Sequence, residues 1–461
     1  MYNAYITEIK NVRCHPNANR LDLVDCFGNT VCVSHGLFAD GDLCVYFPTD
    51  GQLSEEFCRE HDLVRRKDDA GNPCGGYLEP DKRNIKAIRL RGEKSDGLVM
   101  PLSCLEYTGI DIRNLEAGFC FTVMNGHPIC QKYIPRRPNR AAAGSGNRTR
   151  KKKTPVAPLF AEHADTEQLA YNLGAFRPGD EIEITLKMHG TSGRTARLPV
   201  LKGYRRTILD HILRKDGTPI YEDGYVSGTR RVVLENYEGG FYGDNMFREQ
   251  HSKAFEGKLM KGETVYYEIV GFTSTGAPIM GDGNNKKLGD DFVKQYGKTT
   301  TFSYGCEPHP VTHEGYNDST FGYQNEYIEY KAPQSDIYVY RMTMTNEDGF
   351  VVEYTPDFMR YRCEQMGVKT VPMFERFYVT QPLIDQYGNA GEAVKAIAES
   401  WYDGPDPIGK THIREGVVVR IINRPKFTAY KHKNFSFKVL EGIIKDTATA
   451  PDREEIQEVE N

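Results

Sequence analysis

The 461-residue sequence lacks the features of a membrane or secreted protein. No apolar run approaches the ~20 residues of a transmembrane helix, and the first residues, MYNAYITEIKNVRC, lack the apolar core of a signal peptide. No Cys-x-x-Cys pair occurs, and the cysteine count, eleven, is odd. These absences predict a soluble cytoplasmic protein with reduced thiols and no membrane partner.

The chain also lacks an excess of positive charge, because its net charge is -5. Any binding of a polyanion must therefore come from local basic patches rather than from the overall field. The composition, 39% hydrophobic and 27% charged, excludes a disordered chain, and the length suits two to four domains. No internal repeat is present, and we expect a monomer.

The N-terminal part, residues 1–130, has the pattern of a small all-β domain. Short segments rich in β-branched and aromatic residues, such as LDLVDCFG and DLCVYFP, alternate with turn residues and predict a barrel. The polar segment 52–78 is expected to form a long loop or a small helical insert. Cys58, His61 and Cys74 within it could be three zinc ligands, but without a second close pair we favour ordinary thiols.

Residues 131–155 form a basic segment, QKYIPRRPNRAAAGSGNRTRKKKTP, which has nine Lys or Arg residues and no acid. Its Gly, Pro and Asn content predicts a flexible linker. It could be merely solvated. In an otherwise acidic chain we favour an electrostatic tether for nucleic-acid phosphates.

Residues 156–445 mix strand and helix patterns and predict an α+β domain. Thr355-Pro356-Asp357 is a good helix start and Gly367 a good stop. Residues 275–325, rich in Gly, Asn and Tyr, have the composition of a long insertion, and residues 446–461 that of a frayed acidic tail.

The most informative stretch is KMHGT, which begins at Lys187 directly after the strand-like segment EIEITL. A lysine at a strand end, before a small-residue turn, is held rigidly at the wall of a pocket. Once deprotonated, such an amine can attack a carbonyl or phosphoryl centre. Taken alone, the motif is weak, and Lys187 could be a solvated charge.

Further charged residues follow Lys187 in an order that strengthens the case. Glu268 lies inside the apolar strand VYYEIVG, and Glu415 stands at the mouth of the valine strand of IREGVVVR. Lys431 and Lys433, two residues apart, share one face of an extended segment. Each could have a purely structural role. Together, the carboxylates could hold a divalent metal ion and the lysines could neutralise a triphosphate, which is the equipment of phosphoryl or nucleotidyl transfer.

Six segments in this order resemble the motifs of the covalent nucleotidyltransferases, the superfamily of RNA ligases, DNA ligases and capping enzymes. They are KMHGTSGR (187–194), SGTRRVVL (227–234), YYEIVGF (266–272), IYVYRMTMT (337–345), EGVVVR (415–420) and YKHKNFSFK (430–438). The first and fifth are most similar to RNA ligases. HPNANRLDLV (15–24), GDLCVYFPTDGQL (41–53) and IKAIRLRGEKSDGLVMPL (85–102) resemble the OB domain that precedes the catalytic domain in one group of RNA ligases.

The resemblance implies an OB-like barrel (1–130), the linker (131–155), an ATP-grasp-like nucleotidyltransferase domain of antiparallel sheets flanked by helices (156–445) and the tail (446–461). It implies an ATP-dependent RNA ligase that uses Mg²⁺ or Mn²⁺. Lys187 would form lysyl-AMP, AMP would pass to an RNA 5′-phosphate, and a 3′-OH would displace AMP. The expected substrate is nicked duplex RNA or an RNA–DNA hybrid, as in RNA repair.

The resemblance also assigns roles to individual residues. Glu268 would bind ribose or metal, Tyr338 or Tyr340 would face adenine, and Glu415 would bind the catalytic metal. The phosphate contacts would come from Lys431 and Lys433 on the nucleotide and from Arg230 or Arg231 on the nucleic acid. The remaining nucleotide contacts would be His189, Gly190 and Arg194.

Two positions depart from the family pattern. Some relatives have Asp where His189 stands, so the role of His189 is open, and Arg194 comes two residues later than the usual arginine. Two alternatives to an RNA ligase remain. One is a DNA ligase or capping-type enzyme, although capping enzymes usually carry the OB domain after the catalytic domain. The other is a non-catalytic RNA-binding protein with a vestigial lysine site, since HPNANRL also resembles tRNA-binding OB modules.

Overall fold

The structure, a computed structural model, describes most of the chain. The described residues are 2–134, 154–207, 217–234, 245–306, 334–409 and 412–446, except 69, 72, 164, 165, 282 and 301, together with 237, 317, 318, 323 and 324. Most of the predicted linker, residues 135–153, and the predicted tail beyond residue 446 lie outside the described residues. None of the helices in the described part has the length and hydropathy that a membrane crossing requires.

The chain divides into two compact units, one formed by residues 1–136 with 434–448 and one formed chiefly by residues 137–433. The first unit is almost entirely β. Its strands are β1 (Ala4–Glu8), β2 (Lys10–Cys14), β3 (Leu21–Cys26), β4 (Asn29–Ser34), β5 (Leu43–Phe47), β6 (Gly51–Leu53), β7 (Arg65–Lys67), β8 (Pro73–Gly75), β9 (Ala87–Leu90), β10 (Glu93–Asp96), β11 (Leu98–Pro101), β12 (Cys120–Phe121), β13 (Val123–Met124), β14 (His127–Pro128) and β15 (Cys130–Lys132).

These strands form a four-stranded sheet in the order β11-β5-β1-β12, a three-stranded sheet β2-β3-β4 and short two-stranded pairs. Inward residues of the four-stranded sheet, including Ile6, Val45 and Phe47, belong to one apolar core. The segment predicted as a loop or helical insert holds the helix Glu55–Glu60, which begins at Ser54 because the Ser54 side chain accepts the Phe57 N–H. The hairpin β7–β8 follows it.

The cysteines of this unit are free thiols. The ring of His61 pairs through Nε2 with the carbonyl oxygen of Cys104 at 2.8 Å, and Cys58 is buried in the apolar core. Among the described residues, Cys58, His61 and Cys74 do not form a cluster of metal ligands.

The second unit contains strands β16 (Glu167–Gln168), β17 (Glu181–Leu186), β18 (Thr191–Arg205), β19 (Thr218–Gly228), β20 (Glu263–Gly271), β21 (Gly283–Asn284), β22 (Thr299–Thr300), β23 (Asn317–Asp318), β24 (Tyr323–Gln324), β25 (Ser335–Thr345), β26 (Val351–Glu353), β27 (Lys369–Thr370), β28 (Met373–Tyr378), β29 (Gly416–Ile421) and β30 (Thr428–Lys433). The described helices of both units, in chain order, are α1 (Glu55–Glu60), α2 (Met246–Lys253), α3 (Asp290–Tyr296), α4 (Pro356–Met366), α5 (Gln381–Tyr387), α6 (Ala390–Trp401) and α7 (Phe435–Asp446). Helices α1 and α7 belong to the first unit, and the other five belong to the second. Short 3₁₀ turns cover Leu102–Thr108, Ile112–Asn114, Leu169–Tyr171, Leu173–Ala175 and Asn285–Leu288.

Two sheets dominate this unit. One has the order β16-β30-β29-β17-β28, and the other has the order β19-β18-β20-β25-β26, with β27 paired to β25. All contacts are antiparallel except the short pairs β16–β30 and β25–β27. Helix α6 packs on the five-stranded sheet, and helices α2 and α4 pack on the other. The α+β class and the antiparallel sheets flanked by helices are confirmed.

Helix α4 begins and ends where the sequence predicted. The Thr355 hydroxyl accepts the N–H of Phe358 at 3.3 Å, and Pro356 occupies the first turn. Gly367 stops the helix in the left-handed region, at φ 68°.

Helix α7 belongs to the first unit by its contacts. Lys438 Nζ donates to Asp96 Oδ2 at 2.7 Å, and the ring of Phe435 lies under the cations of Arg89 and Lys94. The sequence motif had assigned this segment to the catalytic domain. The structure instead groups residues 434–448 with residues 1–136, and the contacts of Lys438 and Phe435 lie within that unit.

Candidate active site

Three charged residues meet at one end of the five-stranded sheet because of its strand register. Strands β17 and β29 are antiparallel neighbours with Leu186 opposite Val417, so the residue after β17 lies beside the residue before β29. These residues are Lys187 and Glu415. Strand β30 pairs with β29 with Lys433 opposite Gly416, which adds a second lysine.

At this sheet end, one oxygen of a buried carboxylate is contacted by two amines. Lys187 Nζ lies 2.7 Å and Lys433 Nζ 3.3 Å from Oε1 of Glu415. The Glu415 side chain is 2% exposed, whereas that of Lys187 is 22% exposed and so accessible to a substrate. The Lys187 N–H also donates to the Gly416 carbonyl at 3.0 Å, which fixes the lysine backbone to β29.

The charge state of Glu415 follows from a competition. Burial by itself would raise the pKa of this carboxyl group, but the positive charges of Lys187 and Lys433, with a contribution from His189, outweigh it. The pKa of Glu415 is therefore held well below its ordinary value. The Glu415 side chain is ionised at neutral pH, as a side chain that binds cations must be.

Gly416 makes the approach to Glu415 possible. Its φ of 146° lies in a region that other residues rarely adopt, and a Cβ there would come within 2.1 Å of the His432 carbonyl oxygen. Gly190 is similarly constrained, because its Cβ would lie 2.3 Å from the carbonyl oxygen of Ile269 on β20. A side chain at either position would force the strands apart.

His189 joins the site through its ring and its backbone. Its Nδ1 lies 3.5 Å from Oε2 of Glu415, and its ring packs edge-on against Phe302 with centroids 4.5 Å apart. Its N–H donates to the hydroxyl of Tyr304 at 2.6 Å. Phe302 and Tyr304 are 1% and 2% exposed, so both rings belong to the interior wall behind the lysine.

Behind these rings lies a second layer that sequence reasoning missed. The His412 ring packs against Phe302 and Tyr304, with centroids 4.9 and 4.7 Å away. Asp406 accepts the N–H of Gly409 and of one neighbouring residue. Burial lowers the pKa of His412 and raises that of Asp406, so the interior favours the neutral form of each.

The aromatic wall comes from the segment predicted to be an insertion, residues 275–325. Its Phe302 and Tyr304 touch the Lys187 motif, although no sequence signal distinguished them from the other aromatic residues there. Arg248 of α2 was also missed, because no sequence signal distinguished it from the other arginines. Its guanidinium donates to the Ser192 carbonyl at 2.7 Å and to the Thr191 hydroxyl, and it thereby fixes the start of β18.

Glu268 and Tyr338 are placed side by side on the second sheet. Strand register sets Glu268 of β20 opposite Ser192 on one side and Tyr338 on the other. Their neighbours Tyr267 and Val339 point into the apolar core, so Glu268 and Tyr338 lie on the opposite face. Glu268 is partly buried, and Tyr338 is buried.

Tyr340 lies at a β-bulge. Tyr266 pairs with Arg341 and Tyr267 with Val339, so Tyr340 has no direct partner on β20. Core residues are Val339 before the bulge and Met342 after it. Tyr338 and Tyr340 therefore still share a face, as alternation predicted, and the ring of Tyr340 packs on His163 with centroids 5.3 Å apart.

The arginine positions differ in their surroundings. Arg194 is 1% exposed, and its guanidinium donates to the carbonyls of Thr229, Phe160 and Ala161. Those bonds hold the chain around β18 together, and the ribose contact of Arg194 stays a prediction. Arg231 is exposed and Arg230 is partly buried.

Lys431 lies on β30 opposite Val418 and is partly exposed. The structure therefore brings together Lys187, His189, Glu415 and Lys433 by direct contact, and it places Glu268 next to Tyr338 on the second sheet. The substrate contacts assigned to Gly190, Lys431 and the arginines stay predictions.

The whole chain is similar to solved structures of the Naegleria gruberi RNA ligase. A lysine-to-alanine mutant with ATP and Mn matches with a TM-score of 0.53 and 16% identity over 95% of this chain and 97% of that chain. The ligase with PPi gives 0.53 and 17% over 94% and 97%, and a glutamate-to-alanine mutant with AMP and Mn gives 0.52 and 14% over the same shares.

Sequence comparison reaches only the first unit. A family model described as an OB-fold domain matches residues 3–102. No curated protein matches the chain significantly. The protein therefore has the fold of an RNA ligase that carries an OB domain at its N-terminus.

Proposed function

We propose that the protein is an ATP-dependent RNA ligase and that Lys187 is its nucleophile. The observation that carries the proposal is the ion-paired centre in which the Nζ of Lys187 lies 2.7 Å from Oε1 of the buried Glu415 and the Nζ of Lys433 lies 3.3 Å from the same oxygen. An amine, an anionic metal ligand and a further cation within one small site suit transfer of a nucleotide through phosphorus.

The residues present fit a divalent cation. Among the described residues, the His189 ring is the one cation partner of Glu415 Oε2, at 3.5 Å, a separation too long for a strong hydrogen bond. Its carboxylate is ionised and aimed into the site, and Glu268 offers a second carboxylate. Mg²⁺ or Mn²⁺ bound there would neutralise charge on the phosphates and favour departure of pyrophosphate. The Naegleria structures hold Mn with ATP or AMP.

The chemistry of the first step falls to Lys187. Its Nζ, once deprotonated, attacks the α-phosphorus of ATP, a P–N bond forms, and the bond to pyrophosphate breaks. Glu415 Oε1, which lies 2.7 Å from Nζ, holds the amine in place. Lys433 and Lys431 would bind the α-phosphate and the leaving pyrophosphate, and Tyr338 or Tyr340 would face adenine. Gly190 lies close to β20 and has no side chain, so it would leave room for the nucleotide. Glu268 would hold the ribose.

Two further transfers would complete ligation. The RNA 5′-phosphate oxygen attacks the phosphorus of lysyl-AMP, releases Lys187, and forms an A(5′)pp(5′)RNA end. The 3′-OH then attacks the RNA phosphorus, a phosphodiester forms, and AMP leaves. Arg230 or Arg231 would contact the nucleic-acid phosphates, and the OB unit would grip nicked duplex RNA or an RNA–DNA hybrid through charge and base stacking.

Incubation with α-labelled ATP and Mg²⁺ or Mn²⁺ tests the first step. We expect an amine-linked adenylate on the protein that is stable to alkali and labile to acid, as a P–N bond is, and we expect none on Lys187→Ala. The matched control is Lys202→Ala, which removes an exposed lysine from β18 and should label normally. Absence of label from the wild type, or equal label in Lys187→Ala, would refute the assignment.

Acceptor and nucleotide choice separate the proposal from its alternatives. Labelled ATP should outcompete GTP, and sealing of nicked duplex RNA should exceed sealing of nicked DNA. Preference for GTP would indicate a capping-type enzyme, and preference for DNA nicks a DNA ligase. Tight RNA binding without any AMP transfer would indicate an RNA-binding protein with a vestigial site.

A further inference from the structure

Three side chains that bind transition metals meet on the three-stranded sheet of the first unit. Cys14 ends β2, Asp22 lies on β3, and His35 follows directly after β4. Their ligand atoms, a thiol sulfur, a carboxylate oxygen and an imidazole nitrogen, all lie within 4.8 Å of one another. In the described part of the chain this is the one group of three metal-ligating residues as close as that.

The sheet itself builds this arrangement. Cys14 and Asp22 are direct cross-strand partners, so their side chains stand together on one face. After β4, Gly36 at φ +70° turns the chain, and His35 Nδ1 comes within 2.9 Å of Asp22 Oδ1. The left-handed turn at Gly36 therefore returns the imidazole to the Cys14–Asp22 pair.

Backbone hydrogen bonds fix both flanks of the group. The N–H of His15, next to Cys14, donates to the carbonyl of Leu21 at 3.1 Å. The N–H of His35 donates to the carbonyl of Arg20 at 3.0 Å. Arg20, directly before β3, and Leu21, its first residue, thus fix the backbone next to Cys14 and at His35. The start of β3 therefore holds both flanks of the group beside Asp22.

Of the three candidate ligands, Asp22 is already fixed in orientation, whereas Cys14 and His35 are accessible to solvent. The Asp22 side chain is 6% exposed, and its Oδ2 accepts the Gly36 N–H at 2.7 Å, so its orientation is fixed. The His35 side chain is 59% exposed, and Cys14 is exposed. We propose that Cys14, Asp22 and His35 form a zinc site in which the fourth position is open to water.

The donor set decides the metal. A thiolate and an imidazole together favour Zn²⁺ and related transition metals over Mg²⁺ and Ca²⁺, which prefer oxygen. Zinc bonds of about 2.0–2.3 Å in a tetrahedron hold ligand atoms about 3.5 Å apart. Ligand atoms within 4.8 Å reach that geometry through movements of about 1 Å, which the exposed Cys14 and His35 can make. Zinc binding would release the Cys14 thiol proton, and the Gly36 N–H would keep the carboxylate oriented.

The neighbouring His15 does not compete for this role. Its Nε2 pairs with the Leu90 carbonyl at 3.0 Å, and its Nδ1 accepts the Asn17 N–H at 3.0 Å. Both ring nitrogens of His15 are therefore used within the protein. The hydrogen bond between His35 and Asp22, by contrast, can be exchanged for metal bonds without unfolding any strand.

Titration of the reduced, metal-free full-length chain with Co²⁺ tests the site independently of adenylate transfer. Bound cobalt reports its ligands in absorption, because a thiolate ligand adds a sulfur-to-metal charge-transfer band and tetrahedral coordination intensifies the visible bands. We expect one equivalent of Co²⁺ to give both signals and one equivalent of Zn²⁺ to remove them. Cobalt in the carboxylate site near Glu415 would give no thiolate band.

Variants assign the ligands. Cys14→Ser should abolish the thiolate band, and His35→Ala should weaken binding at least about tenfold. Both residues are exposed, so both variants should fold. The matched control is Cys120→Ser, which removes another exposed cysteine and should leave the spectrum unchanged. Absence of a thiolate band from the wild type, its survival in Cys14→Ser, or its loss in Cys120→Ser would overturn the proposal.

Discussion

Replacing Tyr304 by Phe should damage both stability and adenylate formation, although Tyr304 lies far from Lys187 in sequence. The substitution keeps the ring, which packs on His412, and removes only the hydroxyl that accepts the His189 N–H at 2.6 Å. That N–H is then left without its acceptor in the interior. An unsatisfied buried donor costs about 1–3 kcal/mol.

The magnitude sets the expected readouts for Tyr304→Phe. A loss of about 1–3 kcal/mol should lower the midpoint of thermal unfolding by roughly 2–6 °C. The hydroxyl also fixes the peptide two residues after Lys187. The same hydrogen bond should contribute a similar free energy to the positioning of Lys187 in the transition state. Single-turnover formation of lysyl-AMP should therefore slow by roughly 10- to 100-fold.

The control for Tyr304→Phe is Tyr378→Phe, which removes a hydroxyl from a side chain that is 55% exposed. This variant should match the wild type in both melting and adenylation. The reasoning is refuted if Tyr304→Phe forms lysyl-AMP at the wild-type rate. A lower melting temperature with unchanged adenylation would show that the bond stabilises the unit but does not position the lysine.

Three further predictions concern packing and charge. Gly190→Ala should destabilise the unit by roughly 1–3 kcal/mol and suppress labelling, because its Cβ meets β20, whereas Gly174→Ala, with open space around it, should be neutral in thermal melts and ATP labelling. Glu415→Gln should reduce adenylation at least about 100-fold in single-turnover assays. Since the pKa of Glu415 is depressed in the folded state, its stabilising effect is present above its ordinary pKa of 4.5 and is lost on further acidification. In urea unfolding, the difference between wild type and Glu415→Gln should therefore stay constant from pH 7 to about pH 5 and shrink below it; a difference that grows with acid would contradict the assignment. Arg362→Met should lower the unfolding free energy by about 3–5 kcal/mol in urea titrations, because it leaves the fully buried Glu263 without its cation, and a neutral result would show that this ion pair is dispensable.

The overall fold could be predicted from the sequence because the signals that specify it are local or are motifs in a recognisable order along the chain. The start of helix α4 at Thr355 and its stop at Gly367 depend on capping chemistry within a few residues. The proximity of Lys187 and Glu415 follows from their places at strand ends, once the two strands are known to be antiparallel neighbours.

The rest could not be predicted because it depends on contacts between distant segments without a periodic signal. Tyr304 supports His189 across 115 positions of sequence, and it lies in a stretch with many other tyrosines. Arg194 lies inside a recognisable motif, but its buried carbonyl partners are set by tertiary packing. The grouping of α7 with the β unit is likewise a tertiary choice that strand and helix patterns do not encode.

The register of β17, β29 and β30 limits how this chain can change. Side chains alternate between the faces of a sheet, so one residue inserted within any of these strands would turn the terminal lysine or acid away from its companions. Length variation can accumulate between the strands but not within them. Redesign of this site is thus confined to the length and charge of the side chains at the strand ends, because the strand backbone stays fixed.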